Sequence, residues 1–153
     1  MRIPAVVLSY DVNHAYAAHL IDRYQRLWPG HPFRFVVPYQ RVVSSTLQSR
    51  LACLGQANEV PIEFVISAPA IKATVLTLLQ PYADEQWIYW CIDDKYPLWL
   101  DCAFMERLHR AIRDQRLAGV DGICFCRSRQ LATGKALMAN RCGLWNAVLH
   151  PLV

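Results

Sequence analysis

Five short apolar runs punctuate the chain: Ala5–Ser9 (AVVLS), Phe33–Val37 (FRFVV), Ile62–Ile66 (IEFVI), Trp87–Ile92 (WIYWCI) and Gly122–Cys126 (GICFC). Their starts are 25 to 35 residues apart. A strand with its crossover helix takes about 30 residues, so this spacing predicts a series of βαβ units. The first and fourth runs are apolar nearly throughout, which suits strands covered on both faces of a parallel sheet.

The segments between them carry helical periodicity. From Ala15 to Trp28, the residues Ala18, Leu20, Ile21, Tyr24, Leu27 and Trp28 fall on one stripe, and Pro29-Gly30 ends the pattern. Ser44 or Ser45 can cap a helix running to about Leu54, with Gly55 behind it. A third helix opens near Pro69 and stops at Leu79, before Pro81. The strongest pattern runs from Leu98 to Leu117, where Leu100, Phe104, Leu108 and Ile112 step by four. On its other side Arg107, Arg110, Arg113 and Arg116 step by three and predict a water-facing row. Beyond Arg127 the periodicity weakens. The expected fold is α/β, a mainly parallel sheet of about five strands with helices on both faces, in one domain over residues 1–153.

Composition agrees with a folded core. The chain has 153 residues, 54% of them hydrophobic and 18% charged, with five Trp, seven Tyr and five Phe. That excludes a disordered tail and supplies enough apolar surface without metal or disulfide staples. The net charge of +4 is too small to indicate a nucleic-acid partner. It hides an asymmetry: residues 1–106 hold eight Lys/Arg against ten Asp/Glu, residues 107–153 eight against two. No apolar run reaches the ~18–20 residues of a membrane span, and the opening MRIPAVVLSYD lacks a secretory pattern, so the expected compartment is the cytoplasm. The six cysteines contain no Cys-x-x-Cys and read as buried small hydrophobes. The five histidines share no metal-ligand spacing with them and read as surface or capping residues.

In open α/β sheets ligands sit beyond the carboxyl ends of the strands. Those ends read Ser9-Tyr10-Asp11, Pro38-Tyr39-Gln40, Ser67-Ala68-Pro69 and Asp93-Asp94-Lys95-Tyr96-Pro97. Two adjacent carboxylates after an apolar run repel each other, which favours a compensating cation. Mg²⁺ or Mn²⁺ would serve, held by one or two carboxylates and substrate phosphates, and Lys95 is an internal alternative. Asp94 could equally cap the helix expected from Leu98. There is no G-x-G-x-x-G, P-loop, Gly-x-Ser-x-Gly elbow or His-Glu-x-x-His.

Three segments resemble A-type glycosyltransferases, the bacterial enzymes that use nucleotide-diphospho-sugars. They are AVVLSYD with the following Trp-Pro-Gly-His-Pro-Phe-Arg-Phe turn, YADEQWIYWCIDDKYPL (Tyr82 to Leu98), and Arg141-Cys142-Gly143-Leu144-Trp145-Asn146. The resemblance implies a nucleotide-sugar at the strand ends, with Tyr10 and Asp11 near the base and Asp93 and Asp94 near the diphosphate and its metal, Mn²⁺ or Mg²⁺. The acidic pair here is Asp-Asp-Lys where the family has Asp-x-Asp. In the family a later segment supplies acceptor contacts and a catalytic carboxylate, and the resemblance places that segment beyond Val153. Transfer also needs a general base; Glu106 and Asp121 are the carboxylates weighed for it, and neither is well placed. Two other functions compete. One is a non-catalytic binding or assembly module on the same fold, for which the Trp87, Trp90 and Trp99 cluster would supply an apolar patch for a partner; a homo-oligomer is also left open. The other is a nucleotidyltransferase, against which Asp11-Val12-Asn13-His14 lacks the usual Gly-rich loop.

Overall fold

The computed structural model describes residues 2–41, 49, 51–53, 60–82, 87–117 and 120. The chain divides into two compact units, Met1–Arg110 and Ala111–Val153. The second contains few described residues, so the architecture below is that of the first.

Four strands form a parallel sheet in the order β3-β2-β1-β4: β1 (Ile3–Leu8), β2 (Phe33–Tyr39), β3 (Ile62–Ile66) and β4 (Tyr89–Ile92). The sheet of the described residues therefore has four strands where five are expected. The fifth apolar run, Gly122–Cys126, lies outside them, as do the segments after Arg127. Among the described residues three full α-helices accompany the sheet: α1 (His14–Leu27), α2 (Ile71–Leu79) and α3 (Cys102–Arg113). Ser49 and residues 51–53 are also helical, within the span expected from Ser44 to Leu54.

Strand β1 lies between β2 and β4, and its first five residues are buried on both faces. The pairing Ala5↔Phe35 and Ala5↔Tyr89 puts these side chains on one face, while Val6↔Val36 puts the next layer on the other. The first face meets α1. Tyr24 packs edge-on to Phe33 and Tyr89, its hydroxyl 3.0 Å from that of Tyr89. Phe33 stacks on Tyr89, and Trp28 and His31 extend the cluster. The opposite face meets α2, whose Leu78 packs with Val6 and Val36. The helices therefore cover both faces, and aromatic burial on this scale dominates the core.

The turns follow from residue chemistry. After α1 the chain makes a tight turn, Trp28-Pro29-Gly30-His31, closed by the His31 amide on the Trp28 carbonyl at 3.1 Å. Pro29 presets the second position, and Gly30 adopts φ +77° at the third, where a side chain would be strained. Helix α3 starts four residues later than the periodicity suggests. Asp101 is its cap, its carboxylate accepting the Phe104 amide at 2.9 Å, so the capping role considered for Asp94 falls to Asp101. The helix ends at Arg113, short of Leu117. There the Arg116 amide bonds to Ala111 O and the Gln115 amide to Ile112 O, with Gln115 at φ 54°. Arg107, Arg110, Arg113 and Arg116 are exposed, as their spacing predicts.

Two histidines correct the surface reading. His14 is fully buried at the first position of α1, and its Nε2–H donates to Pro38 O at 2.8 Å. His31 is buried among Trp28, Phe33 and Phe35, and its Nδ1 accepts the Phe33 amide. Burial pushes its pKa down to about 4.

Candidate functional site

The strand order reverses beside β1: the chain moves outward through β2 and β3, then returns to place β4 on the far side of β1. The carboxyl ends of β1 and β4 are therefore neighbours, with Leu8 paired to Ile92. Reversal points of this kind are where open α/β sheets receive ligands.

The acidic pair sits at this point and divides. Ile92-Asp93-Asp94-Lys95 is a turn, closed by the Lys95 amide on the Ile92 carbonyl at 2.9 Å. Consecutive residues of a turn do not share a direction. Asp93 is 5% exposed, its backbone amide on Leu8 O and its carboxylate accepting the Ser9 hydroxyl at 2.7 Å. Ser9 is itself fully buried. Asp94 is exposed, and so is Lys95. None of the ion pairs among the described residues involves Asp93, Asp94 or Lys95. The compensation for the buried Asp93 carboxylate is thus a hydrogen bond from Ser9, and only Asp94 of the pair is open to water.

Asp11 has a different task. Its two carboxylate oxygens accept the backbone amides of Gln40 (2.8 Å) and Arg41 (2.9 Å). Its own amide donates back to the Gln40 side-chain oxygen at 3.0 Å. The Gln40 side-chain amide then donates to Ser67 Oγ at 3.0 Å, and Ser67 Oγ lies 3.4 Å from the Thr74 hydroxyl, which donates to Ala68 O at 2.9 Å. A continuous polar line thus crosses the carboxyl ends of β1, β2 and β3 and reaches α2. Asp11 holds two strand ends together, with both oxygens already engaged by amides. Tyr10 is half-buried beside it, and its carbonyl accepts the Asn13 amide at 2.7 Å.

No family model, curated protein or solved structure matches this chain.

The remaining chemistry narrows the options. Cys91 is buried within β4, and desolvation pushes its thiol far up, which removes it as a nucleophile. Among the described residues no group of three or more His, Cys, Asp and Glu could hold a metal ion by itself. A divalent ion at the Asp93–Asp94 turn would therefore need most of its shell from a ligand's phosphates and from water, a habit of Mg²⁺. No helix among the described residues is long and apolar enough to cross a membrane.

Ser9, His14, Gln40, Ser67 and Thr74 complete the strand-end structure, and sequence reasoning assigned none of them this role. Three of them, Ser9, Gln40 and Ser67, stand where an apolar run gives way to polar residues, which was the available signal. His14 and Thr74 lie in helices and carry no such mark.

Proposed function

We propose that this chain binds a nucleotide-diphospho-sugar at the carboxyl ends of β1 and β4, as the donor-binding part of a sugar transferase. The observation that carries the reading is the Ser9–Asp93 bond, which seats an acidic turn at the reversal of strand order and leaves Asp94 facing water. Of the residues considered at the diphosphate end, Asp94 takes the direct role. It offers a carboxylate to a divalent ion shared with the diphosphate, and Asp93 fixes the turn that presents it. Asp11 orders the rim nearest the base as a clasp between strand ends. The resemblance of residues 82–98 to bacterial sugar transferases agrees with this placement.

The test is thermal stabilisation by a panel of UDP-, GDP- and dTDP-sugars with and without Mn²⁺. Binding of a donor at 100 times its Kd should stabilise the fold by about 2.7 kcal/mol. Asp94→Asn should abolish the metal-dependent part of that response with the apo melting temperature unchanged. A panel that leaves the wild-type melting temperature unmoved rejects donor binding.

A non-catalytic binding module is favoured by one observation: Asp93 and Asp11 are both engaged in holding the fold, and Glu106 lies exposed on α3. Donor binding without turnover, measured as nucleotide release with a range of acceptors, would select that reading.

A further inference from the structure

The segment that leaves β4 does not pass directly into a helix. It runs back along α1, making one contact per helical turn. Tyr96 packs edge-on to His19, with ring centroids 4.4 Å apart. Arg23 donates to Pro97 O (3.2 Å) and Leu98 O (3.0 Å). The Cys102 thiol reaches Leu27 O at 3.0 Å. His19, Arg23 and Leu27 are spaced by four, one stripe of the helix. A backbone fastened at these points holds its side chains in place, and what it holds outward is apolar: Leu98 is 80% exposed and Trp99 75%. Tyr16, one helical turn before His19, is 54% exposed, and Tyr96 is 38% exposed.

We infer that Tyr16, Tyr96, Leu98 and Trp99 form a lip that binds a neutral carbohydrate, next to Asp94. Three observations favour a sugar. The lip is small: four side chains, against the ~20–30 residues on each side of a stable protein interface. A single pyranose ring, with its apolar C–H face, is matched in size to one or two aromatic rings. Its charges suit a neutral ligand, because the exposed Asp94 and Asp101 are balanced by Lys95 and by Arg23, and two cations so balanced do not draw an anionic bilayer. Carboxylates beside aromatic faces accept hydrogen bonds from hydroxyls, which sugars offer in rings around their apolar faces. The lip starts two residues after Asp94. Its use as the acceptor site rests on the donor reading above, whereas its affinity for a sugar does not.

The experiment measures binding of neutral oligosaccharides (malto-, cello-, chito- and β-galacto-series) by calorimetry, without nucleotide-sugar or metal. At least one series should bind. Trp99→Ala should weaken it about tenfold, the value of a lost aromatic stacking contact. Because Trp99 is mostly exposed, the melting temperature of that variant should not fall, and Leu98→Ser provides an independent disruption. Oligosaccharide binding is measured without nucleotide-sugar or metal and the donor panel without oligosaccharide, so either proposal can fail without the other. Absence of binding across the panel overturns the inference. So does Trp99-dependent association with phosphatidylcholine or phosphatidylglycerol vesicles in place of sugar binding, or a Trp99-dependent self-association in sedimentation with no sugar bound.

Discussion

Ser9 and Asp93 are 84 residues apart in the chain, yet the serine hydroxyl donates to the aspartate carboxylate across 2.7 Å, with both residues buried. A buried charge with one short hydroxyl donor is sensitive to the loss of that donor. Ser9→Ala should therefore destabilise the fold by about 1–3 kcal/mol in urea denaturation. Asp93→Asn keeps an oxygen that can accept the same bond and should cost less than Ser9→Ala. Equal melting behaviour of Ser9→Ala and wild type would show that the bond contributes nothing.

The Asp11 clasp is testable in the same way. Its carboxylate engages two amides, and Asn offers only one oxygen in that position. Asp11→Asn should cost on the order of 1 kcal/mol and speed hydrogen exchange at the Gln40 and Arg41 amides, while the amides of β1 keep their protection. Unchanged exchange at both amides would count against the clasp.

Acid should weaken the aromatic face. The unfolded chain takes up a proton at His31 near its ordinary pKa of 6.5, but burial holds the folded state unprotonated down to about 4. Stability is therefore fully present above pH 6.5 and falls as the pH drops from 6.5 towards 4, by on the order of 2 kcal/mol after allowance for solvent screening. Urea midpoints at pH 7.0 and 4.5 measure it. In His31→Gln that part of the pH profile should flatten, and a profile as steep as the wild type's would assign the loss to other groups.

Gln115 closes α3 in the left-handed region, at φ 54°, where glycine is strain-free. Gln115→Gly should raise stability by about 0.5–1 kcal/mol in the unit that holds it, since the relief of backbone strain exceeds the added chain entropy. A melting temperature that falls would mean the glutamine side chain contributes more than its backbone costs.

Arg23 fastens the lip. Arg23→Met keeps the apolar stem and removes both donors to Pro97 O and Leu98 O. Proteolytic cleavage between Pro97 and Leu100 should accelerate about fivefold, equivalent to ~1 kcal/mol of local opening, with the exchange protection of the sheet amides unchanged.

Much of this architecture is legible in the sequence because it depends on periodicity. β3 is the run Ile62–Ile66 itself, and α1 lies within a residue of its apolar stripe. The Pro29-Gly30 turn follows from what those two residues do to a backbone. The start of α3 lies later than expected because Leu100 continues the four-residue apolar step backwards to just behind Pro97, although the chain there is pinned along α1 by Arg23. No local pattern reports a contact between residues 23 and 98. The same limit applies to the acidic pair. The sequence puts Asp93 and Asp94 at a strand end but cannot divide them, because the division depends on a turn and on a serine 84 residues away. His31 reads as a surface or capping residue, but it is buried by the rings of Trp28, just past α1, and of Phe33 and Phe35 on β2.

The strand order also constrains how the molecule is made. Of the four strands β1 is synthesised first and pairs with β2 within about forty residues of chain, but its other flank stays bare until β4 has been synthesised, with Ala5 waiting for Tyr89. Parallel pairings over such sequence distances form late and slowly. Until then a nascent chain carries a long apolar strand with one open edge, a ready target for chaperones or for mispairing between molecules. The Ser9–Asp93 contact closes with that last pairing, so a chain interrupted before residue 89 would have three of the four strands and no site.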